Sequence, residues 1–296
     1  MMAAQRNLIL GLDFGGTKLA AGVFDPAAGR LLYAAHVETR AALGAQAAVD
    51  DMLALASGLP RIGDVGQVGV AFGGHVHDNR IVRSLHVGGW DDYPLAQRLK
   101  QDLGVGHVCI ANDANAMALG EWKFGAGAGA ASLLFVTVST GIGGAVIVAG
   151  GLWEGAAGMA GEIGHMQLVH DGPRCTCGRC GCLEALAAGP AVARRAGLPT
   201  ARAVAERAAA GDAAARQALA ECAGYLGVGV ANAVNLLDVE RVVIGGGVSR
   251  AGALWWGAVQ AAVKERLLPR RAAVAVVPSG LGEYASVWGA AALAAT

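Results

Sequence analysis

The sequence predicts an α/β protein in which one strand-and-helix pattern runs twice. Short β-branched runs alternate with stretches whose apolar residues recur at helical spacing. A hairpin of two apolar strands around a glycine turn occurs near the start and again in mid-chain. Strands interrupt the Ala-rich stretches, so these read as packed helices rather than coiled coil or disorder.

Up to about residue 40 the chain reads as a meander, with strands NLILGLD, KLAAGVFD and RLLYAAHVET joined by the turns FGGT and PAAG. A helix over 44–57, a buried strand QVGVAF and a glycine turn at Gly73 and Gly74 follow. The run PLAQRLKQDLG is helical and stops at a capping glycine. HVCIAND is the next strand, and a helix covers 114–124. Then the pattern restarts: SLLFVTV, a STGIGG turn and AVIVAG repeat the first hairpin. Helices over 201–236, broken near Gly211 and Asp212, precede the strand RVVIGGG. A helix through ALWWGAVQAAVKERLL, the strand AVAVVP and a last Ala-rich helix complete the chain.

At 296 residues there is room for two lobes with cores of their own. Lys plus Arg and Asp plus Glu both number 23, so the formal charge is zero and no nucleic-acid or membrane partner is expected. The opening MMAAQRNLIL runs directly into a strand and lacks the pattern of a signal peptide. Residues 125–153 carry no charge, which by length alone suits a membrane span. STGIGG divides that stretch into two strand-length pieces, so two buried strands explain it better and a cytoplasmic protein is expected.

GLDFGGTK, residues 11–18, nearly matches a phosphate-binding P-loop. It has Thr-Lys where Lys-Thr or Lys-Ser is needed, and a strand follows instead of a helix. It reads as a tight hairpin turn or as a turn whose backbone N–H groups face phosphate. STGIGG at 139–144 and IGGGVSRAG at 244–252 are further glycine turns, the latter between a buried strand and a helix. Four of six cysteines lie within 175–182, after GEIGH. Disulfides are disfavoured in a cytoplasmic chain, and Cys177-x-x-Cys180 does not open a helix as a redox motif would. A metal site of thiolates and an imidazole fits better.

The blocks LDFGGTKLAAGVFD, NDANAMALGEWKFGAG, STGIGGAVI, GEIGHMQLV, CTCGRCGCLEALAAGP and NLLDVERVVIGGGVSRAG closely resemble those of the ROK family of sugar kinases and sugar-responsive repressors. The resemblance runs from about Leu8 to the C-terminus. It implies the duplicated actin-like ATPase (ribonuclease H-like) fold, with two lobes and a central cleft. The lobes are expected over 1–117 plus 285–296 and over 118–284. It also implies Mg2+ and ATP as cofactors, a sugar substrate phosphorylated at a hydroxyl, the 6-hydroxyl by analogy, and a homodimer. Repressors of the family carry a helix-turn-helix before the glycine loop; with twelve residues ahead of Asp13 in this sequence, DNA binding by that route is not expected.

Carried onto this sequence, Asp113 matches the catalytic base, although Asn112 and Asp113 are also good helix caps in their own right. Asn112, Gly74, Glu162, His165 and Glu184 match sugar contacts. His86 stands where a sugar-binding asparagine is common. Asp13 matches the carboxylate that orients Mg2+, and Gly15, Gly16, Thr17, Lys18, Thr140, Gly141, Gly245, Gly246 and Gly247 fall on the ATP and phosphate turns. The family's metal pattern falls on His165, Cys175, Cys177 and Cys182, implying a structural Zn2+ that braces the loop 165–182 and aims His165. Cys180 is left over as a bystander thiol, an alternative ligand or an oxidation liability. His86, and Gly73 where many relatives have proline, leave glucose, mannose, fructose, N-acetylhexosamines, aminosugars and cyclitols open. A catalytically silent sugar-sensing protein of the same fold is the alternative reading, disfavoured by the intact carboxylates.

Overall fold

A computed structural model describes residues 6–84, 87–269 and 274–295. In chain order the elements are β1 (Leu8–Phe14), β2 (Lys18–Asp25), β3 (Arg30–Glu38), α1 (Gly44–Ser57), β4 (Val65–Phe72), β5 (His75–His77), β6 (Arg80–Arg83), α2 (Leu95–Leu103), β7 (His107–Asn112) and α3 (Asp113–Phe124). Then come β8 (Leu133–Val138), β9 (Ile142–Val148), β10 (Gly151–Trp153), α4 (Leu183–Ala187), α5 (Gly189–Ala196), α6 (Ala201–Ala209), α7 (Ala213–Leu237), β11 (Arg241–Gly245), α8 (Ala253–Arg266), β12 (Ala275–Pro278) and α9 (Ala285–Ala294). Among the described residues no helix is long and apolar enough to cross a membrane. The chain forms two compact units, one of residues 1–129, 152–160 and 280–296 and one of 130–151 and 161–279.

In the first unit the sheet order is β3-β2-β1-β4-β7, with the β1–β2–β3 meander antiparallel and β1, β4 and β7 parallel. Alternate residues of β1 serve opposite faces. Leu8, Leu10 and Leu12 join Val49 and Met52 of α1 and Leu95 and Leu99 of α2 in one core. Ile9 points the other way, to Phe24, Phe124, Trp288 and Ala291. Burial of both faces explains why these strands read as continuous apolar runs. Helix α9 rides close on β1 because residue 11 is glycine; a Cβ there would collide with the Val287 carbonyl oxygen. The β5–β6 hairpin turns at Asp78 and Asn79, both left-handed (φ 49° and 61°). The Asn79 amide donates to the Val108 carbonyl at 3.0 Å and so fastens the hairpin to the edge strand β7.

The expected lobe boundary at 117/118 would have cut α3. Instead α3 stays whole in the first unit, since Phe124 at its last turn packs with Phe24 of β2 and Trp288 of α9.

In the second unit β9, β8, β11 and β12 neighbour one another in that order, β8–β9 antiparallel and the rest parallel. This repeats the arrangement of β2, β1, β4 and β7, the duplication expected from the repeated hairpin. Its core gathers Leu134, Val136, Val242 and Ile244 against Leu226 and Val230 of α7 and Val259 of α8. The break between α6 and α7 falls at Gly211, left-handed at φ 95°, and at Asp212, whose Oδ1 caps α7 by accepting from Ala215 N at 2.9 Å.

Candidate functional site

In the first unit the glycine loop 13–18 is held by backbone and side-chain bonds. Gly15 N donates to the Lys18 carbonyl at 3.1 Å, and Thr39 Oγ1 donates to the Gly15 carbonyl at 2.8 Å. Asp13, at the end of β1, accepts from Ser286 Oγ through Oδ2 at 2.6 Å. Burial pushes its carboxyl up to about 7, against the pull of the Ser286 bond, and the nearby Asp113 charge adds to the rise while Lys18 opposes it. A cation at this carboxylate would stabilise its ionised form and so offset that rise, and Asp13 fits a Mg2+ role. Thr17 is exposed, and Lys18 Nζ lies 3.4 Å from Glu283 Oε1 and over the Tyr284 ring.

Asn112 and Asp113 sit where β7 gives way to α3. The Asn112 Oδ1 accepts from Ala114 N at 2.9 Å and from Asn115 N at 3.3 Å, an N-cap, while its Nδ2 donates to the Gly74 carbonyl at 3.0 Å. Asp113 Oδ1 accepts from Ala114 N at 2.8 Å, and its Oδ2 lies toward Gly73. So Asp13, the 15–18 loop, Gly74, Asn112 and Asp113 all belong to the same end of one sheet. His86 lies outside the described residues.

In the second unit two glycine turns meet. Ser139 N donates to the Gly141 carbonyl at 2.8 Å, closing the turn that presents an exposed Thr140. Gly246 follows β11 at φ 88°, a left-handed conformation, and a Cβ there would collide with the Val138 backbone. Only glycine lets the 245–247 turn lie against the start of the 139–141 turn.

The cysteine loop packs below the same strands. Cys175 N donates to the Arg179 carbonyl at 2.8 Å and Gly178 N to the Cys175 carbonyl at 3.0 Å, folding the loop back on itself. His165, Cys175, Cys177 and Cys182 bring one ligand atom each within 4.8 Å of one another. Cys177 Sγ and Cys182 Sγ are 3.6 Å apart, and Cys175 Sγ is 3.6 Å from His165 Nδ1. Tetrahedral zinc at thiolate distances demands sulfur pairs about 3.8 Å apart, and a disulfide about 2 Å, so the set fits Zn2+. The Arg179 amide and guanidinium hold the Cys177 thiol down to about 6, while burial and the neighbouring thiols push Cys182 up to about 12. Cys180 is exposed and stands outside the cluster.

Around this loop stand the expected sugar contacts of the second unit. His165 turns Nδ1 to the thiols and Nε2 to Glu162 Oε2, 3.7 Å away. Glu184 is more occupied than the sequence suggested. Its Oε2 accepts from Ile142 N at 3.1 Å and its Oε1 from Thr176 Oγ1 at 3.0 Å, so it ties the 139–144 turn to the cysteine loop. Ser286, Thr39 and Arg179 escaped the sequence reading: a serine in an Ala-rich helix, a threonine after a strand and an arginine between cysteines carry no motif of their own.

The ROK family profile matches residues 9–296. Glucokinase of Streptomyces coelicolor is 35% identical over 316 aligned residues, covering 97% of this chain and 98% of that one. N-acetylmannosamine kinase of Shigella boydii is 36% identical over 82% of this chain and 84% of its own. The structure of a ROK family glucokinase from Streptomyces griseus in complex with glucose and AMPPNP superposes with a TM-score of 0.85 at 34% identity, covering 97% of this chain and 99% of that one. A family match over nearly the whole chain and sugar kinases at about one-third identity along it define a phosphotransferase of small molecules. The chain belongs to the ROK family and is a sugar kinase of that family.

Proposed function

We propose that this protein transfers the terminal phosphoryl group of ATP to the 6-hydroxyl of a hexose or N-acetylhexosamine, with Asp113 taking the hydroxyl proton as general base. The observation that supports this most is the double anchoring of Asn112, to the first turn of α3 and to the Gly74 carbonyl. It sets the neighbouring Asp113 carboxylate in one place, ready for a hydroxyl without further reorientation.

By the family resemblance Gly74, Asn112, His86, Glu162, His165 and Glu184 supply the hydrogen bonds that orient the sugar ring. Nε2 is the ring nitrogen His165 offers, since Nδ1 faces the thiols. By the same resemblance the turn of Gly15, Gly16, Thr17 and Lys18 is a phosphate segment, and the turns of Thr140 and Gly141 and of Gly245, Gly246 and Gly247 are nucleotide segments. Bound at Asp13, Mg2+ would supply charge neutralisation on the transferring phosphates. Zn2+ on His165, Cys175, Cys177 and Cys182 would be structural, with no open position. A homodimer working in the cytoplasm completes this reading, on the family resemblance.

The test is ADP release with Mg-ATP and single sugars, glucose and N-acetylmannosamine first, then mannose, fructose, glucosamine and a cyclitol. Turnover with one sugar, lost in Asp113→Ala, is the expected result. Sugar binding without turnover would replace the kinase reading by the sensor reading.

A further inference from the structure

The segment that opens α9 grips the glycine loop at both ends. At the far end Glu283 pairs with Lys18 at 3.4 Å, and the Tyr284 ring lies beneath the same ammonium while its hydroxyl sits 3.2 Å from His36 Nδ1. At the near end Ser286, only 8% exposed, donates its hydroxyl to Asp13 Oδ2 at 2.6 Å. The close seat of α9 on Gly11 fixes where that serine stands relative to β1.

We propose that Ser286 is a positioning residue that locks the Asp13 carboxylate by one oxygen and leaves Oδ1 directed to the cation of the nucleotide. This rests on the assignment of Asp13 to the Mg2+ role. A carboxylate at a strand end has a broad, two-fold χ2 distribution and can turn either oxygen toward a ligand. The short bond to a buried hydroxyl, on a helix seated close against β1 at Gly11, removes that freedom before any cation arrives. Pre-orientation of this kind strengthens binding by sparing the ordering that would otherwise accompany it.

Mn2+ is the probe, since free Mn2+ is counted directly by electron paramagnetic resonance during titration of protein with AMPPNP. The variants are Ser286→Ala, Ser286→Thr and Asp13→Asn, with sugar affinity and Tm measured beside each. A bond to a charged group is worth about a ten-fold change in binding when lost. Ser286→Ala should therefore weaken Mn2+ binding about ten-fold with sugar affinity unchanged, and Ser286→Thr, which keeps the hydroxyl, should restore it. Asp13→Asn should abolish the tight site. Unchanged Mn2+ binding in Ser286→Ala, with the site lost in Asp13→Asn, would overturn the inference and leave the kinase assignment standing. A parallel loss of sugar affinity and Tm in Ser286→Ala would also overturn it, in favour of general support of the fold. Unchanged binding in Asp13→Asn would remove the Mg2+ assignment and the inference with it.

Discussion

In metal-free buffer, replacing Asp13 by Asn should make the protein more stable at pH 8 and leave it unchanged near pH 4. Asp13 stands at the end of β1 with its carboxyl raised from 3.8 to about 7, burial being the main cause and the Asp113 charge a second. Below the unfolded value both states hold the proton and the carboxyl costs nothing. As pH rises past it, the unfolded chain releases the proton while the folded one keeps it, so stability falls until the folded carboxyl also ionises at about 7. Each pH unit of that interval is worth about 1.4 kcal/mol, which puts the full loss at roughly 4 kcal/mol. Partial exposure of the residue reduces it, and about 2–4 kcal/mol is the expected difference between variant and parent at pH 8. Urea unfolding of both proteins in EDTA, at half-unit steps from pH 4 to 8, measures it. A stability difference that does not change with pH, or that grows toward acid, would refute the reasoning. Mg2+ with AMPPNP should shrink the difference at pH 8, because the cation stabilises the ionised carboxylate of the parent alone.

The cysteine loop gives a second expectation. Cys182 is fully buried in the donor cluster, so Cys182→Ser should release the metal, lower Tm and raise the sugar KM through a misaimed His165. Elemental analysis of purified protein, with one zinc per chain in the parent and little in the variant, checks it. Asn112→Ala removes an N-cap and the bond to the Gly74 carbonyl, and should cost about 1–2 kcal/mol of stability and a larger factor in kcat than in the KM for ATP. Steady-state kinetics with unfolding on the same preparation separates the two effects.

Much of the fold was legible because its strands and turns carry local signals. The hairpin repeat at GLDFGGTK and STGIGG predicted the duplication, and Gly104, left-handed after α2, ended its helix where expected. His165, Cys175, Cys177 and Cys182 come together in the structure, since residues so near in sequence need only one short loop to meet. What stayed hidden depends on contacts between distant segments. Ser286 reaches Asp13 across most of the chain, and nothing in ASVWGAA marks it. Glu184 showed as a sugar carboxylate, yet its bonds to Ile142 N and Thr176 appear only once β9 and the cysteine loop pack together. The lobe boundary fell inside α3 because Phe124 gives no sign in sequence that it will pack against Phe24 and Trp288.

The central claim is that a carboxylate at position 113 takes the proton of a sugar hydroxyl. Sugar-dependent ADP release by the parent and by Asp113→Ala, with sugar binding measured calorimetrically on both, tests it most directly. Turnover should require sugar in the parent and fall by about 10²- to 10⁴-fold in the variant while sugar affinity holds. ADP release at the same rate with and without sugar, or full turnover in the variant, would contradict it.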